Sequence, residues 1–85
     1  MLKISQYFII ITVMKTDRKT ILGKNIKAER NRKGFSQEKL AESIGMHNTS
    51  ISLIELGKQS PSIFAVIDIA KVLEIDISKL LEDII

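Results

Sequence analysis

The sequence has 85 residues, of which 45% are hydrophobic and 27% are charged, a composition typical of one small globular domain. It contains no Cys and a single His, His47. A disulfide framework, a thiolate metal site and a His-based catalytic relay are therefore excluded. We expect no enzyme activity, no metal and no cofactor.

The charge is unevenly distributed along the chain. Residues 1–34 contain nine Lys and Arg against two acidic residues, whereas residues 35–85 contain four Lys against eight acidic residues. A basic cluster favours a polyanionic partner such as nucleic acid, but it is also typical of a solvated helix face. The charge alone leaves both interpretations open.

The chain begins with an apolar run, Tyr7–Met14, whose β-branched residues favour a strand over a helix. It is too short to span a bilayer, which requires about 20 residues in a helix. The run is either a strand that pairs with its copy in a second subunit, or a segment upstream of the natural initiator, with Met14 as the true first residue. We assign residues 1–18 to an N-terminal extension.

Residues 19–85 form the domain proper, because their apolar residues recur with helical spacing. Leu22, Ile26 and the stem of Arg30 are four residues apart, and Gly34 is placed to end this first helix. We therefore predict a helix from about Thr20.

Two further helices follow closely. Ser36 is a suitable N-cap for the second helix, which stops at Gly45. The third helix directs Ile51 and Ile54 inward and ends near Gly57. Tight turns at both glycines are expected, since glycine adopts the left-handed conformation without a Cβ penalty.

Pro61 separates these helices from a fourth, and Asp76 is expected to cap a short fifth helix. One apolar stripe of the fourth helix is predicted to fill the core, comprising Ile63, Val66, Ile67, Ala70 and Leu73. Five short helices joined by tight turns predict an all-α domain.

The second and third helices have the spacing of a helix-turn-helix. Counted from Gln37, apolar residues occupy positions four, eight, ten, fifteen and eighteen, with Ala41 at position five and Gly45 at position nine. Two steeply crossing helices approach most closely at Ala41, where only a small side chain fits, and the glycine allows the chain to turn.

Several residues in and around these two helices match one known motif: Ser36–Ala41, Gly45, Ile51, Ser52, Glu55, Gly57 and Pro61. With them, the chain resembles the Cro/phage-repressor (XRE-type) helix-turn-helix family over about residues 22–81, and its segment 51–55 is similar to the controller proteins of restriction–modification systems. The resemblance implies a compact five-helix lambda-repressor-like domain that binds DNA as a homodimer, with the third helix in the major groove.

The resemblance also implies a set of DNA contacts: Gln37, Asn48, Thr49, Ser52, Leu53 and Lys58. Gln37 is expected to contact phosphate and to brace the third helix, and Lys58 to contact phosphate. Asn48 and Thr49 would reach base edges, since Asn bonds adenine bidentately and the Thr methyl touches thymine. Ser52 and an exposed Leu53 would follow one turn later.

Each of these assignments has a structural alternative. Gln37 is otherwise an exposed first-turn residue, and Leu53 an ordinary surface residue. Asn48 is otherwise the cap of the third helix, because His47 occupies the usual cap position and His caps poorly.

Other matched positions imply structural roles. Arg30 and Glu55 fall where relatives hold a buried ion pair between the first and third helices. Leu56 stands where the family usually has a polar residue that touches the DNA backbone, and Glu29 replaces a common aliphatic residue. Since residues 36–60 carry two lysines against three glutamates, attraction to DNA must come from the first helix, from Lys58 and from helix N-termini.

The fourth helix and the tail carry more apolar surface than one small core covers, which indicates an interface. We predict that it holds a homodimer together through Phe64, Ile69, Val72, Ile75 and Ile77. The alternative is a wide core stripe with a frayed tail.

We therefore predict a bacterial, cytoplasmic transcriptional regulator that acts as a homodimer on a palindromic operator, without a membrane partner. Covering a promoter would repress it, whereas binding just upstream would recruit RNA polymerase as a further partner. The rival is an antitoxin-type protein-interaction module in which DNA binding is secondary. A third interpretation is a membrane-tethered regulator that uses residues 1–14.

Overall fold

The computed structural model describes residues 17–85. They form α1 (Arg18–Arg32), α2 (Gln37–Ser43), α3 (Asn48–Glu55), α4 (Ile63–Val72) and a 3-10 turn, Ile77–Lys79. This part of the chain contains no strand, so it is all-α as predicted. Within residues 17–85, no helix combines the length and the hydropathy of a membrane span. The apolar run Tyr7–Met14 lies outside the described residues, and its pairing stays a prediction.

The predicted fifth helix is a single 3-10 turn. Asp76 caps it by accepting a hydrogen bond from the Ser78 amide at 2.9 Å, and this backbone bond, more than the Ser78 hydroxyl, lowers the pKa of Asp76 below its usual range. Beyond the turn, the Asn25 side-chain amide donates to the carbonyl oxygens of Leu80 and Glu82, at 2.9 Å each. These two hydrogen bonds attach the C-terminal tail to α1.

Local capping fixes where the α-helices begin and end. Asp17, Ser36 and Ser62 precede α1, α2 and α4, and each accepts a hydrogen bond at 3.0 Å from an amide in the first turn. Gly34 and Gly45 follow α1 and α2 with φ of 74° and 69°, where a residue with a Cβ would be strained. The predictions for Ser36 and both glycines are confirmed.

One apolar core joins the four helices and the tail. Its buried members are Ile26, Leu40, Ala41, Ile51, Ile54, Val66, Ile69, Ala70, Leu73 and Leu80. Of the positions predicted to face inward, Leu40, Ala41, Ile51 and Ile54 are in this group, whereas Ile44 and Met46 are half-buried and pack against it. Ala41 is 2% exposed. The helix-turn-helix spacing therefore describes real packing between these two helices.

The buried side of α4 differs from the predicted stripe. It comprises Val66, Ile69, Ala70 and Leu73. Ile63 is 57% exposed and Ile67 is half-buried, so the buried arc is turned toward Ile69, which is fully buried. Ile69 cannot also face a second subunit, and its predicted place in a dimer interface is wrong.

Candidate nucleic-acid interface

An ion pair holds the C-terminal end of α3 against α1. Arg30 donates from Nε to Glu55 Oε2 at 2.6 Å and from Nη2 to Glu55 Oε1 at 2.9 Å. Its Nη1 donates to the carbonyl oxygen of Phe35 at 2.8 Å. The two charged side chains are 9% and 2% exposed. The predicted buried ion pair is confirmed, and its bidentate geometry fixes the orientation of one helix relative to the other.

Gln37, the first residue of α2, ties a third helix to the same carboxylate. Its Nε2 donates to Glu55 Oε1 at 3.0 Å. Glu55 thus accepts three hydrogen bonds from two other helices, and no buried side-chain polar atom in residues 17–85 is left without a partner. Gln37 thus makes a contact of the bracing kind predicted for it and is half-buried rather than exposed, whereas its phosphate contact stays a prediction.

Gly23 allows the backbones of α1 and α3 to touch. A Cβ at this position would collide with the carbonyl oxygen of Ile54 and would lie 2.8 Å from that of Glu55. The apolar pattern of α1 did not point to Gly23. A signal was present, because an interior helix glycine costs about 1 kcal/mol relative to Ala and usually marks a close packing contact.

Gly57 closes α3 at the same contact between helices. Its φ is 75°, and a Cβ there would lie 2.5 Å from the Thr20 hydroxyl and 2.8 Å from the Thr20 Cα. The residue therefore serves two purposes, since it takes the left-handed conformation that ends the helix and lets the chain pass directly over α1.

One side of α3 presents the side chains predicted to contact DNA. Asn48 and Thr49 are exposed, and Ser52, one turn later, is half-buried. Leu53 is half-buried rather than exposed, which corrects the expectation for this residue. Ile51 and other inward residues anchor the opposite side of the helix. Four neighbouring positions are therefore arranged on one outward side, as a base-reading surface requires.

α3 begins at His47 without a side-chain cap. His47 is the N-cap residue, with φ −77° and ψ 146°, and its side chain makes no capping hydrogen bond. Its carbonyl oxygen accepts from the Ser50 amide at 3.0 Å. Asn48 is the first residue of the helix itself, so the alternative in which Asn48 caps α3 is wrong.

Two residues that follow α3 flank this surface. Lys58 is exposed, and its ammonium group forms no salt bridge within residues 17–85. Its backbone amide donates to the carbonyl oxygen of Leu53 at 2.9 Å, which fixes the loop. Leu56, at a position where the family usually has a polar residue, is 60% exposed. One cation and one apolar side chain therefore border the C-terminal side of the surface.

The basic charge of α1 is partly neutralised. Arg30 is committed to Glu55, and Arg32 Nε donates to Glu29 Oε2 at 2.9 Å. Glu29, which replaces a common aliphatic residue of the family, thus pairs with Arg32 of the same helix. Lys24 and Lys27 are exposed and form no salt bridge in the described part of the chain.

The remaining residues of the predicted dimer interface differ in exposure. Phe64 is 74% exposed, whereas Val72, Ile75 and Ile77 are half-buried and pack against the core. Phe64 is thus the member of the set with most apolar surface open to solvent.

Comparison with known proteins agrees with this geometry. The profile of the helix-turn-helix family matches residues 26–80. The chain is 38% identical over 65 residues to the control protein C.SmaI of Serratia marcescens, an alignment that covers 76% of this chain and 77% of that protein.

Solved structures share the fold. The restriction-modification controller protein C.AhdI from Aeromonas hydrophila matches with a TM-score of 0.70 and 27% identity, over 73% of this chain and 90% of that one. The hypothetical transcription factor NHTF from Neisseria matches with a TM-score of 0.71 and 29% identity, over 76% of this chain and 73% of that one.

Proposed function

Because this chain belongs to the XRE-type helix-turn-helix family of DNA-binding transcriptional regulators, a family without enzyme activity, we propose that it binds a palindromic operator as a homodimer. The observation that carries this proposal is the construction of α3. Glu55 is fixed by Arg30 and Gln37 at one end, while Asn48 and Thr49 are exposed at the other.

In the proposed complex, the exposed side of α3 enters the major groove. Asn48 pairs with the N6 and N7 edge of adenine, and the Thr49 methyl group contacts a thymine methyl. Ser52 and Leu53, one turn later, reach the next bases. These contacts select the sequence, because base edges differ between sites whereas phosphates do not.

Gln37 and Lys58 position α3 by binding the DNA backbone. The Gln37 amide carries two N–H donors, and the bond to Glu55 leaves one of them for a phosphate. Lys58 supplies a cation with no partner in residues 17–85. Since the segment 36–60 carries more acidic than basic residues, one subunit is expected to bind weakly.

A homodimer compensates for this weak binding by doubling the contacts. Two-fold symmetry would place the two α3 helices in half-sites about 34 Å apart, one turn of DNA. Phe64, which is 74% exposed, supports a dimer surface that also includes the half-buried residues Val72, Ile75 and Ile77. Phe64→Ser is expected to give a monomer in analytical ultracentrifugation, with little change in helix content.

The relatives suggest which genes are regulated. C.SmaI is a control protein, and C.AhdI is a restriction-modification controller. By analogy, this chain would control genes of a restriction–modification system by occupying their promoter. Bound across the promoter it would repress, and bound just upstream it would recruit RNA polymerase.

The test is a selection of preferred duplexes from a random pool with the full chain. Wild type is expected to enrich a palindrome, and Asn48→Ala and Thr49→Ala to lose preference at specific positions within it. Lys58→Ala is the matched control, since it should weaken binding to every duplex and lower the salt dependence by about one ion per subunit. If wild type enriches no palindrome, an antitoxin-type interaction module becomes the better interpretation.

A further inference from the structure

We propose that His47 is a further DNA contact of this interface, and that protonation of its imidazole regulates the affinity of the protein for DNA. This inference rests on the proposed function and deepens it. His47 directly precedes Asn48 and Thr49 and is exposed. Its side chain makes no capping hydrogen bond, so the imidazole is free to bind an external group.

The backbone places the His47 side chain beside the base-reading residues. With φ −77° and ψ 146°, the residue is extended and stands just outside the helix. It lines the same shallow cleft between α2 and α3 as Asn48. A duplex that brings bases to Asn48 and Thr49 must pass its sugar-phosphate backbone close to the residue before them.

The charges around His47 favour a cation at this position. Glu38 and Glu42 of α2 line the cleft, and the first turn of α3 contributes no acidic residue. Without a cation, these carboxylates would repel an approaching phosphate. A protonated imidazole donates from both ring nitrogens, so it can bind a phosphate oxygen and offset the negative charge of the α2 carboxylates.

The single histidine makes the inference testable by pH. Histidine is the side chain that ordinarily titrates between about pH 5 and 8, and this chain has no other. Phosphate favours the protonated form, so DNA binding is linked to proton uptake and tightens as the pH falls. We expect affinity at about pH 6 to exceed that at about pH 8 by roughly threefold per subunit, or about tenfold for a dimer.

The experiment measures the dissociation constants of the full chain for its selected operator and for a random duplex. Each is titrated at about pH 6 and 8 and at several salt concentrations. Wild type is expected to bind both duplexes more tightly at low pH, with a salt slope larger by about one ion per subunit. His47→Asn should remove both effects, whereas His47→Lys should bind tightly at both pH values.

Two controls exclude trivial causes. Lys58→Gln should weaken binding at both pH values and keep the pH dependence, since it removes a different cation. Asn is a better N-cap than His, so the melting temperature of His47→Asn should equal or exceed that of wild type. Any contribution of the α-amino group is shared by wild type and variants and cancels in the comparison.

The outcomes separate this inference from the function on which it rests. If wild type binds its operator equally well at both pH values, or if His47→Asn keeps the full pH dependence, His47 is not the titrating contact and the operator assignment stands. If wild type shows no preference for any duplex, the proposed function fails and this inference fails with it.

Discussion

α3 is enclosed at its C-terminal end, where Glu55 accepts three hydrogen bonds and Gly23 admits direct backbone contact. At its N-terminal end, Asn48 and Thr49 face solvent and His47 leaves the helix uncapped by a side chain. One end supplies a fixed orientation, and the other supplies side chains that form no hydrogen bond with residues 17–85. Substitutions at the two ends should therefore produce different losses, of stability at the first and of recognition at the second.

The largest effect is expected from Glu55→Ala. It leaves the Arg30 guanidinium buried without its partner, which costs roughly 3–5 kcal/mol of unfolding free energy. Urea denaturation followed by circular dichroism measures this loss. The matched control is Glu29→Ala, which breaks the more exposed pair with Arg32 and should cost at most about 1 kcal/mol.

A double substitution distinguishes the ion pair from simple packing at this site. Replacing Arg30 with Met and Glu55 with Leu removes both charges and keeps the volume, so most of the stability should return. A neutral result for Glu55→Ala alone would contradict the central role given to this carboxylate.

Gly23→Ala should have the next largest effect. By helix propensity alone, Ala would stabilise α1 by about 1 kcal/mol. The added Cβ, however, collides with the carbonyl oxygen of Ile54, and forcing the helices apart should cost about 1–3 kcal/mol net. Asn31→Ala, at an exposed position of the same helix, is the control and should be neutral or slightly stabilising.

The contrast between the two ends also explains what the sequence could predict. Ser36, Gly34 and Gly45 act through their own turns, so local patterns identified them correctly. Arg30 and Glu55 are 25 residues apart, and only the family resemblance connected them. The close approach at Gly23 depends on the backbone of another helix, so the helix propensity of the local sequence cannot predict it.

The error at α4 has a different physical origin. The helix sequence IFAVIDIAKV has apolar residues at eight of its ten positions, so hydrophobic periodicity specifies the inward face poorly. The inward face is set instead by packing against α2 and the 3-10 turn, and Ile69 is fully buried. The 3-10 turn was mistaken for a helix because the cap at Asp76 signals a start but does not specify a length.

At the other end of α3, Asn48→Ala and Thr49→Ala should impair recognition without loss of stability. Each should cost about 1–3 kcal/mol of operator binding per base contact, with random-duplex affinity nearly unchanged. Fluorescence anisotropy on both duplexes measures this, and urea denaturation should show a stability within about 0.5 kcal/mol of wild type. Equal loss on both duplexes would mean that these residues contact phosphates instead of bases.

The smallest effect is expected from His47→Ser, and its sign is opposite to that of Glu55→Ala. A serine hydroxyl can accept from an amide in the first turn of α3, as Ser36 does for α2 at 3.0 Å, so the variant should gain about 1 kcal/mol of unfolding free energy. Ser36→Ala should lose a similar amount and calibrates the measurement. A gain in stability accompanied by weaker binding at low pH would indicate that the wild-type residue sacrifices a helix cap for a DNA contact. Unchanged stability would instead mean that the start of α3 obtains no benefit from a side-chain cap, so the contrast between its two ends would rest on the exposed Asn48 and Thr49 alone.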